Sequence, residues 1–246
     1  MKTRPTAATH LALAALAVIV GGCGKTAERK DAAPAADTVQ IAMTTIDNGD
    51  GTFTDTRDAK TYRTVRIGNL TWMAENLNFA TDSSRCYANA DSNCTKYGRL
   101  YNWDDAMKAC PAGWRVPSDE DWDSLALAVG GQREEMKYGN YYWKVAGKKL
   151  KSTTGWKDSE DDYGNLVSGN GTDEIVFSAL PGGYGDSGGD FDGAGDYGFW
   201  WSAAELDADF AWYRYMNNGY EFVGRGNSYK TRMFSLRCVR DFAAPQ

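Results

Sequence analysis

Four cysteines constrain the fold of this 246-residue chain more than any other feature of its sequence. They are Cys86, Cys94, Cys110 and Cys238, the four that follow Cys23, and an even number of cysteines in the mature part of an exported chain predicts two disulfide bonds. Four cysteines can pair in three ways, and the residues alone do not select one of them. A structural zinc site would favour a C-x-x-C pair or histidine ligands, and neither occurs beyond His10. Disulfide bonds are therefore the better interpretation.

The N-terminus has the pattern of an export signal. Lys2 and Arg4 precede an apolar run over residues 11–20, which is too short to cross a bilayer as a helix, and small residues then lead to Cys23. This order predicts a lipoprotein signal peptide over residues 1–22, with Cys23 as the lipidated residue. Two or more acyl chains on this cysteine would anchor the protein stably to a membrane. Cleavage at another position, which would give a secreted protein without lipid, is the alternative.

The residues after the lipidation site indicate the destination of the protein. Gly24 and Lys25 lack the aspartate that would retain a lipoprotein at the inner membrane. We therefore expect a lipid-anchored protein of the cell envelope, delivered to the outer membrane or the cell surface.

The charge balance excludes one class of partner. The chain has 27 Lys and Arg residues against 33 Asp and Glu residues, and removal of residues 1–22 takes away two basic residues and no acidic one. An acidic surface repels phosphate backbones, so nucleic acid is excluded as a partner. Because no basic patch supplements the lipid, we expect contact with the membrane through the anchor alone.

The mature chain divides into a tether and one domain. Residues 23–54 are predicted to form a lipidated, flexible tether, because residues 24–43 contain no aromatic side chain to offset the entropy of ordering. Residues 55–242 contain all nine tryptophans and are long enough to bury a single sizeable core. We therefore predict one domain over residues 55–242.

Hydrophobic patterns predict strands at both ends of this domain and helices between them. Ser118 can cap a helix whose apolar residues Trp122, Leu125 and Ala126 share one face, and Asn218-Gly219 is typical of a tight hairpin. The pattern predicts strands over 60–67, 70–77, 199–203, 210–216, 220–223 and 233–240, and helices over 104–109, 118–129 and, more weakly, 141–151. This arrangement indicates an α+β fold in which the terminal strands share a sheet.

Several segments together resemble a known family. The segments are TDTRDAKTYRTVRIGNLTWMAENLNFA, CYAN, SNCTKYGRLYNWDDAMKACPAGWRVPSDEDW, GTDEIVFSALPGGY, FWWSAAE and SLRCVRD. They resemble, in order, the Fibrobacter succinogenes major paralogous domain, which is similar to the sulfatase-modifying (formylglycine-generating) branch of the C-type-lectin-like fold. The resemblance implies a single C-type-lectin-like domain with few helices, antiparallel strands and long loops rich in glycine and aromatic residues.

The resemblance also implies a disulfide pairing and argues against catalysis. In lectin-like folds a helix after the first strands is bonded to the last strand, which pairs Cys110 with Cys238 and leaves Cys86 with Cys94. The formylglycine-generating relatives use two reactive cysteines just before the closing strand, but residues 210–233 contain none here. Histidine-dependent catalysis is excluded because the mature chain has no histidine. We therefore expect a protein that is not an enzyme, although paired carboxylates are abundant enough to remain an alternative.

Aromatic residues in the glycine-rich second half are the candidate ligand contacts, because aromatic rings stack on sugars and on apolar surfaces. The candidates are Tyr184, Trp200, Trp201, Trp212 and Tyr213. Neighbouring residues of a strand point to opposite faces, so we expect one of Trp200 and Trp201 in the core and the other partly exposed. The predicted function is binding of a glycan or a surface protein. A structural envelope protein without a discrete ligand is the second interpretation and an enzyme is the third.

Calcium is the one cofactor that the sequence would allow. Hard oxygen donors on a glycine-rich loop suit Ca²⁺, and the candidate ligands are Asp186, Asp190, Asp192 and Asp196. Their spacing is not that of an EF-hand, and they would equally serve as solubilising residues. The sugar-binding triplets of calcium-dependent lectins do not occur, so calcium-dependent sugar recognition of that type is not expected.

Overall fold

Short strands account for most of the regular structure in residues 45–242, the part of the chain that the computed structural model describes. The strands are β1 (Thr45–Asp47), β2 (Thr52–Asp55), β3 (Lys60–Ile67), β4 (Leu70–Met73), β5 (Leu100–Tyr101), β6 (Gln132–Glu135), β7 (Tyr141–Lys144), β8 (Ser159–Glu160), β9 (Leu166–Val167), β10 (Gly182–Gly185), β11 (Phe191–Ala194), β12 (Tyr197–Glu205), β13 (Phe210–Asn217), β14 (Val223–Tyr229), β15 (Phe234–Ser235) and β16 (Val239–Asp241). The helices are α1 (Asp91–Tyr97), α2 (Trp103–Ala109), α3 (Asp119–Ala128) and α4 (Ala146–Leu150). The predicted α+β class is confirmed. No helix within residues 45–242 has the length and apolar character needed to span a membrane.

The folded region begins before the predicted boundary at residue 55. β1 and β2 form a hairpin, and β2 pairs with β3. Phe53 is fully buried, and its ring stacks on that of Trp114 with 4.4 Å between the centroids. The buried ring and the pairing with β3 attach the hairpin to the domain, so residues 45–54 belong to the folded region rather than to the tether. The signal peptide, Cys23 and the rest of the predicted tether lie outside the described residues.

The first sheet has five strands in the order β1-β2-β3-β4-β16. β3 forms as predicted, whereas the strand predicted over 70–77 ends at Met73. β16 pairs with β4, which confirms that the terminal strands share a sheet. The strand predicted over 233–240 is instead divided into β15 and β16, because β15 pairs with β12 and β5 and only β16 joins the first sheet.

The second sheet is larger and runs in the order β11-β10-β12-β13-β14-β7-β6, with β15 and β5 joined beside β12. β12, β13, β14, β7 and β6 form successive antiparallel pairs. β6 ends this series as an edge strand and carries Arg133, Glu134 and Glu135. β8 and β9 form a separate two-stranded hairpin.

Two element predictions were wrong. The helix predicted over 141–151 is β7 followed by α4, because Tyr141 and Trp143 alternate inward and pair with β14, and Val145 turns the chain at a φ of 57°. The strand predicted over 220–223 is a loop, and β14 begins only at Val223. β13 and β14 do form an antiparallel hairpin across Asn218-Gly219, but with a longer connection than a tight turn.

Both Trp200 and Trp201 are fully buried, so the expectation that one would be partly exposed was wrong. Trp200 belongs to a core cluster with Trp122 and Phe177, and Trp201 belongs to a second cluster with Phe234. The reason is that β12 is covered on both faces at this point of the strand. The structure thereby removes both tryptophans from the side chains that can contact a surface ligand.

Buried ion pairs hold α3 against the second sheet. Ser118 caps this helix as predicted, and Asp121 completes a capping box. Arg214 of β13 is fully buried and donates to Asp119 at 2.8 Å and to Asp123 at 3.1 Å. Removing one partner from such a buried pair is costly, so these contacts fix the position of α3 on β13.

The structure contains the disulfide pairing that the family resemblance implied. Cys86 is bonded to Cys94 across a short loop, and Cys110, at the end of α2, is bonded to Cys238. The second bond joins residues 128 positions apart. Closing a loop of this length constrains the unfolded chain and contributes about 4–5 kcal/mol in the chain-entropy description.

Candidate ligand-binding surface

The face of the second sheet opposite α3 carries a continuous group of aromatic side chains. In β12 and β13 alternate residues reach this face, and Phe199 lies directly opposite Tyr215. Further rings come from β7, β10 and the loop before β14. We call this surface the tyrosine face, and it consists of Tyr142, Tyr184, Tyr197, Phe199, Tyr213, Tyr215, Tyr220 and Phe222. All eight side chains are half-buried or exposed.

The rings of the tyrosine face contact one another across four strands. The Phe199 ring lies 5.6 Å from both Tyr197 and Tyr213, and the rings of Tyr215 and Phe222 are 5.9 Å apart. Phe222 in turn lies 5.0 Å from two further rings, those of Tyr142 and Tyr220. These centroid distances are typical of stabilising aromatic pairs. The rings therefore support one another in fixed positions rather than moving as separate side chains.

Two glycines of β14 allow the tyrosines to lie against the sheet. Gly224 pairs with Tyr215 and Gly226 pairs with Tyr213. A Cβ atom at Gly224 would be 2.2 Å from the Tyr215 ring, and one at Gly226 would be 2.7 Å from the Tyr213 hydroxyl oxygen. The rings therefore extend over bare backbone of the neighbouring strand. The rings therefore lie flat and form a broad aromatic surface on this face of the sheet.

A pocket of about 380 Å³ forms one end of the tyrosine face. Its lining includes Tyr184, Tyr213 and two charged residues, Asp192 and Arg232. The Tyr184 hydroxyl donates to Asp192 at 3.4 Å, and the Arg232 guanidinium lies 5.3 Å from the centre of the Tyr184 ring. The pocket therefore combines aromatic walls with a few polar groups, as ligand sites in proteins commonly do.

The hydroxyls of Tyr184, Tyr213 and Tyr215 are neutral at physiological pH. Burial raises the pKa of Tyr213 to about 12, and burial also raises the pKa of Tyr215. The pKa of Tyr184 is raised by burial and by the nearby Asp192 carboxylate. Each hydroxyl can therefore donate and accept a hydrogen bond without carrying charge.

Lys151 holds the loop that contributes Tyr220. Its side chain is buried, and its ammonium group donates to the carbonyl oxygens of Asn217 at 3.0 Å and Tyr220 at 3.1 Å. Burial, together with the smaller effect of the neighbouring Lys148, lowers the pKa of Lys151 to about 8. One edge of the tyrosine face thus depends on a buried ammonium group.

The structure brings together only part of the predicted ligand contacts. Tyr184 and Tyr213 belong to the tyrosine face, whereas Trp200 and Trp201 are buried and Trp212 points to the opposite face. The Trp212 ring is covered by the Arg225 guanidinium, 3.3 Å from its centre. Sequence reasoning had missed most of the face, and alternation of aromatic residues along β12 and β13 was the available signal.

The predicted calcium ligands are not brought together as one group. Asp186 accepts bonds from the backbone of Gly188 and Asp190, and Asp196 accepts from Lys157 at 2.6 Å. Asp192 is exposed beside Tyr184. Within the part of the chain that the structure describes, no three His, Cys, Asp or Glu side chains form a group that could hold a metal ion. Calcium binding stays a prediction.

Most of the folded region matches the model of a known protein family. The model of the Fibrobacter succinogenes major domain matches residues 65–240, from β3 to β16, and the chain belongs to this family. Comparisons with curated proteins and with solved structures gave no significant match.

Proposed function

We propose that this protein is a non-catalytic binding module whose tyrosine face takes a neutral glycan chain. The proposal includes a C-type-lectin-like fold and a lipid anchor at Cys23 that places the domain in the cell envelope, at the outer membrane or the cell surface. Its main support is the way Tyr213 and Tyr215 lie over Gly226 and Gly224, which leaves flat, hydroxyl-bearing rings at the surface.

The chemistry of the face favours a sugar over other ligands. Sugar rings present C–H groups on one side and hydroxyls at the edge, so they can stack on a tyrosine ring and bond to its hydroxyl. None of the eight residues of the face is Asp, Glu, Lys or Arg, and the chain as a whole has a net charge of −6. Both features favour an uncharged polymer over an anionic one. The extent of the face across four strands suits an extended chain.

Two observations support a role without catalysis. The four cysteines among residues 45–242 are all in disulfide bonds, so none offers a thiol. The buried Arg214 guanidinium is paired with the half-buried Asp119 and Asp123 in the interface between α3 and the sheet. A structural role accounts for these groups without a reaction.

A glycan array tests the proposal. We expect the purified mature domain to bind a subset of neutral oligosaccharides, and Tyr215→Ala to lose at least tenfold in affinity. Tyr163→Ala is the matched control, because Tyr163 is also an exposed tyrosine but lies in the β8–β9 connection. The array is repeated with calcium and with a chelator. Equal loss in both variants, or binding only of anionic glycans, would contradict the proposal.

The proposed anchor is tested in cells. Wild-type protein is expected in the outer-membrane fraction, and Cys23→Ser is expected to lose acylation and membrane association. Mass spectrometry of the mature N-terminus reports the modification directly. Recovery of an unmodified N-terminus at another residue would show a secreted protein without lipid.

A further inference from the structure

A polar cleft of about 430 Å³ lies apart from the tyrosine face and shares no lining residue with it. One wall is formed by the start of β3 and the segment that follows β4, and the other walls are the end of α1 and two loops. The lining includes residues 60–63, 74–76, 94–98, 152–154, Asp173 and Ser178. The volume is within the range of sites for small ligands. The proposed glycan surface does not account for this cleft.

The loop along one wall is held in a strained conformation. Asp173, Val176 and Ser178 have φ angles of 47°, 58° and 54°, which are unfavourable for residues other than glycine. The Asp173 carboxylate accepts bonds from the Ser178 backbone N–H at 2.6 Å and from the Ser178 hydroxyl at 2.7 Å. Strain of this kind persists only where surrounding contacts enforce it, and it is often found at functional sites.

A buried cation lies beneath this loop. Arg237 is fully buried and donates to Asn76 at 2.9 Å and to the backbone carbonyls of Phe177 and Ser178. No carboxylate of the described residues lies within the 4.0 Å of an ion pair with Arg237, whereas buried charges are usually paired. Neutral oxygen acceptors and the Phe177 ring, 4.2 Å away, therefore hold the guanidinium in place without a direct contact to a carboxylate.

The charge of Arg237 interacts electrostatically with charged residues that line the cleft. Burial lowers the pKa of Arg237 to about 9, while the cleft residues Asp173 and Glu75 act to raise it and Arg63 acts to lower it. Both acidic groups are already engaged, Asp173 by Ser178 and Glu75 by Arg63 at 3.2 Å. The acidic side chains of the lining thus have partners of their own and do not neutralise the guanidinium at close range.

The rim adds a cation without an acidic partner and several hydroxyls. The Lys96 ammonium lies 4.7 Å from the centre of the Tyr97 ring, and no ion pair joins it to a carboxylate of residues 45–242. Thr95, Thr153 and Thr154 are exposed around it. The cleft therefore offers hydroxyl partners beside a positive charge at its rim and another below its floor.

We propose that this cleft binds a small hydroxylated carboxylate of the hexuronic acid class. The carboxylate is placed at Lys96, in the positive field of Arg237, and the ring hydroxyls bond to the threonine side chains. A cleft lined this way discriminates an acidic sugar from the neutral sugar of the same shape, because only the acid gains from the two cations.

Titration of the disulfide-bonded mature domain with galacturonate and with galactose tests the proposal by calorimetry or NMR. We expect galacturonate to bind at least tenfold more tightly than galactose, and its affinity to fall with salt. Lys96→Gln is expected to weaken galacturonate about tenfold, which corresponds to about 1.4 kcal/mol. Lys137→Gln, an exposed lysine elsewhere, is the matched control and is expected to change nothing.

Three results would overturn this assignment. They are equal affinity for the acid and the neutral sugar, unchanged affinity in Lys96→Gln, and absence of galacturonate binding at tens of millimolar by either method. Tyr215→Ala separates the two sites, because galacturonate binding that depends on this residue would place the acid on the tyrosine face. Loss of neutral-glycan binding alone would leave the cleft assignment intact.

Discussion

The two faces of β12 and β13 are both rich in aromatic residues, but they differ in what covers them. On the face toward α3, Trp200 is fully buried and its indole N–H donates to Asn76 at 2.9 Å. On the other face, Trp201 is buried against Phe234, but Phe199, Tyr213 and Tyr215 remain partly exposed. Alternation along one pair of strands thus supplies both a core and a surface.

The difference shows that the type of aromatic side chain on each face depends on whether other elements cover that face. An indole has one donor and can be satisfied by one interior acceptor, as Trp200 is by Asn76. A tyrosine hydroxyl can both donate and accept, so water suits it better than a core with few partners. The covered face should therefore govern stability and the open face should govern binding. The following predictions test this division.

The largest expected effect is on the covered face. Trp200→Ala should lower the free energy of unfolding by about 3–5 kcal/mol, because it leaves a cavity and removes one of the two hydrogen bonds that the Asn76 oxygen accepts. Chemical denaturation measures the change, and Trp200→Phe serves as the control that keeps most of the ring. A loss below 1 kcal/mol in Trp200→Ala would mean that this face is not the core of the fold.

The next effect concerns the contact between the tyrosine face and β14. Gly224→Ala should lower stability by about 1–3 kcal/mol and weaken glycan binding, because the new Cβ overlaps the Tyr215 ring. The double variant Gly224→Ala/Tyr215→Ala should regain much of the stability but not the binding. Strict additivity of the two changes in a double-mutant cycle would show that the ring does not lie over Gly224.

A pH-dependent effect is expected at the edge that Lys151 holds. Its pKa is about 8 in the folded protein and higher in the unfolded chain, so between these values the unfolded state binds more protons. Stability should therefore rise with pH above about 8, by about 1–2 kcal/mol between pH 7 and 9.5. Denaturation of wild type and Lys151→Met across this range isolates the contribution. Parallel curves for the two proteins would contradict it.

The smallest effect on stability is expected on the open face. Tyr215→Ala should cost about 1 kcal/mol or less, while reducing glycan binding at least tenfold. Tyr163→Ala, a tyrosine that is 90% exposed, should change neither quantity. If Tyr215→Ala destabilised the protein as much as Trp200→Ala, the two faces would not differ in the way described.

Local signals in the sequence predicted the elements that local contacts stabilise. The cap at Ser118, the alternation over Lys60–Ile67 and the short helix before Cys110 all appear in the structure. Each of these depends on residues a few positions apart. A sequence can be interpreted reliably at that range.

The predictions that were wrong or incomplete all depend on contacts between segments that are far apart in the sequence. β14 has the sequence VGRGNSY, in which alternate glycines weaken any strand signal, and their role becomes visible only when Tyr213 and Tyr215 lie over them. One of Trp200 and Trp201 was expected to be partly exposed, because the side chains that bury Trp201, among them Phe234 and Trp103, come from distant segments. The tyrosine face was predicted only in part for the same reason, since its rings converge from five segments of the chain.

The charged edge strand β6 has a consequence for how neighbouring molecules behave. An unpaired strand edge can template the addition of a strand from another chain, but Arg133, Glu134 and Glu135 make that contact unfavourable. At the opposite edge, β11 is four residues long and contains Gly193, which offers little length for pairing. Edge-to-edge pairing of this sheet between crowded copies is therefore disfavoured at both margins.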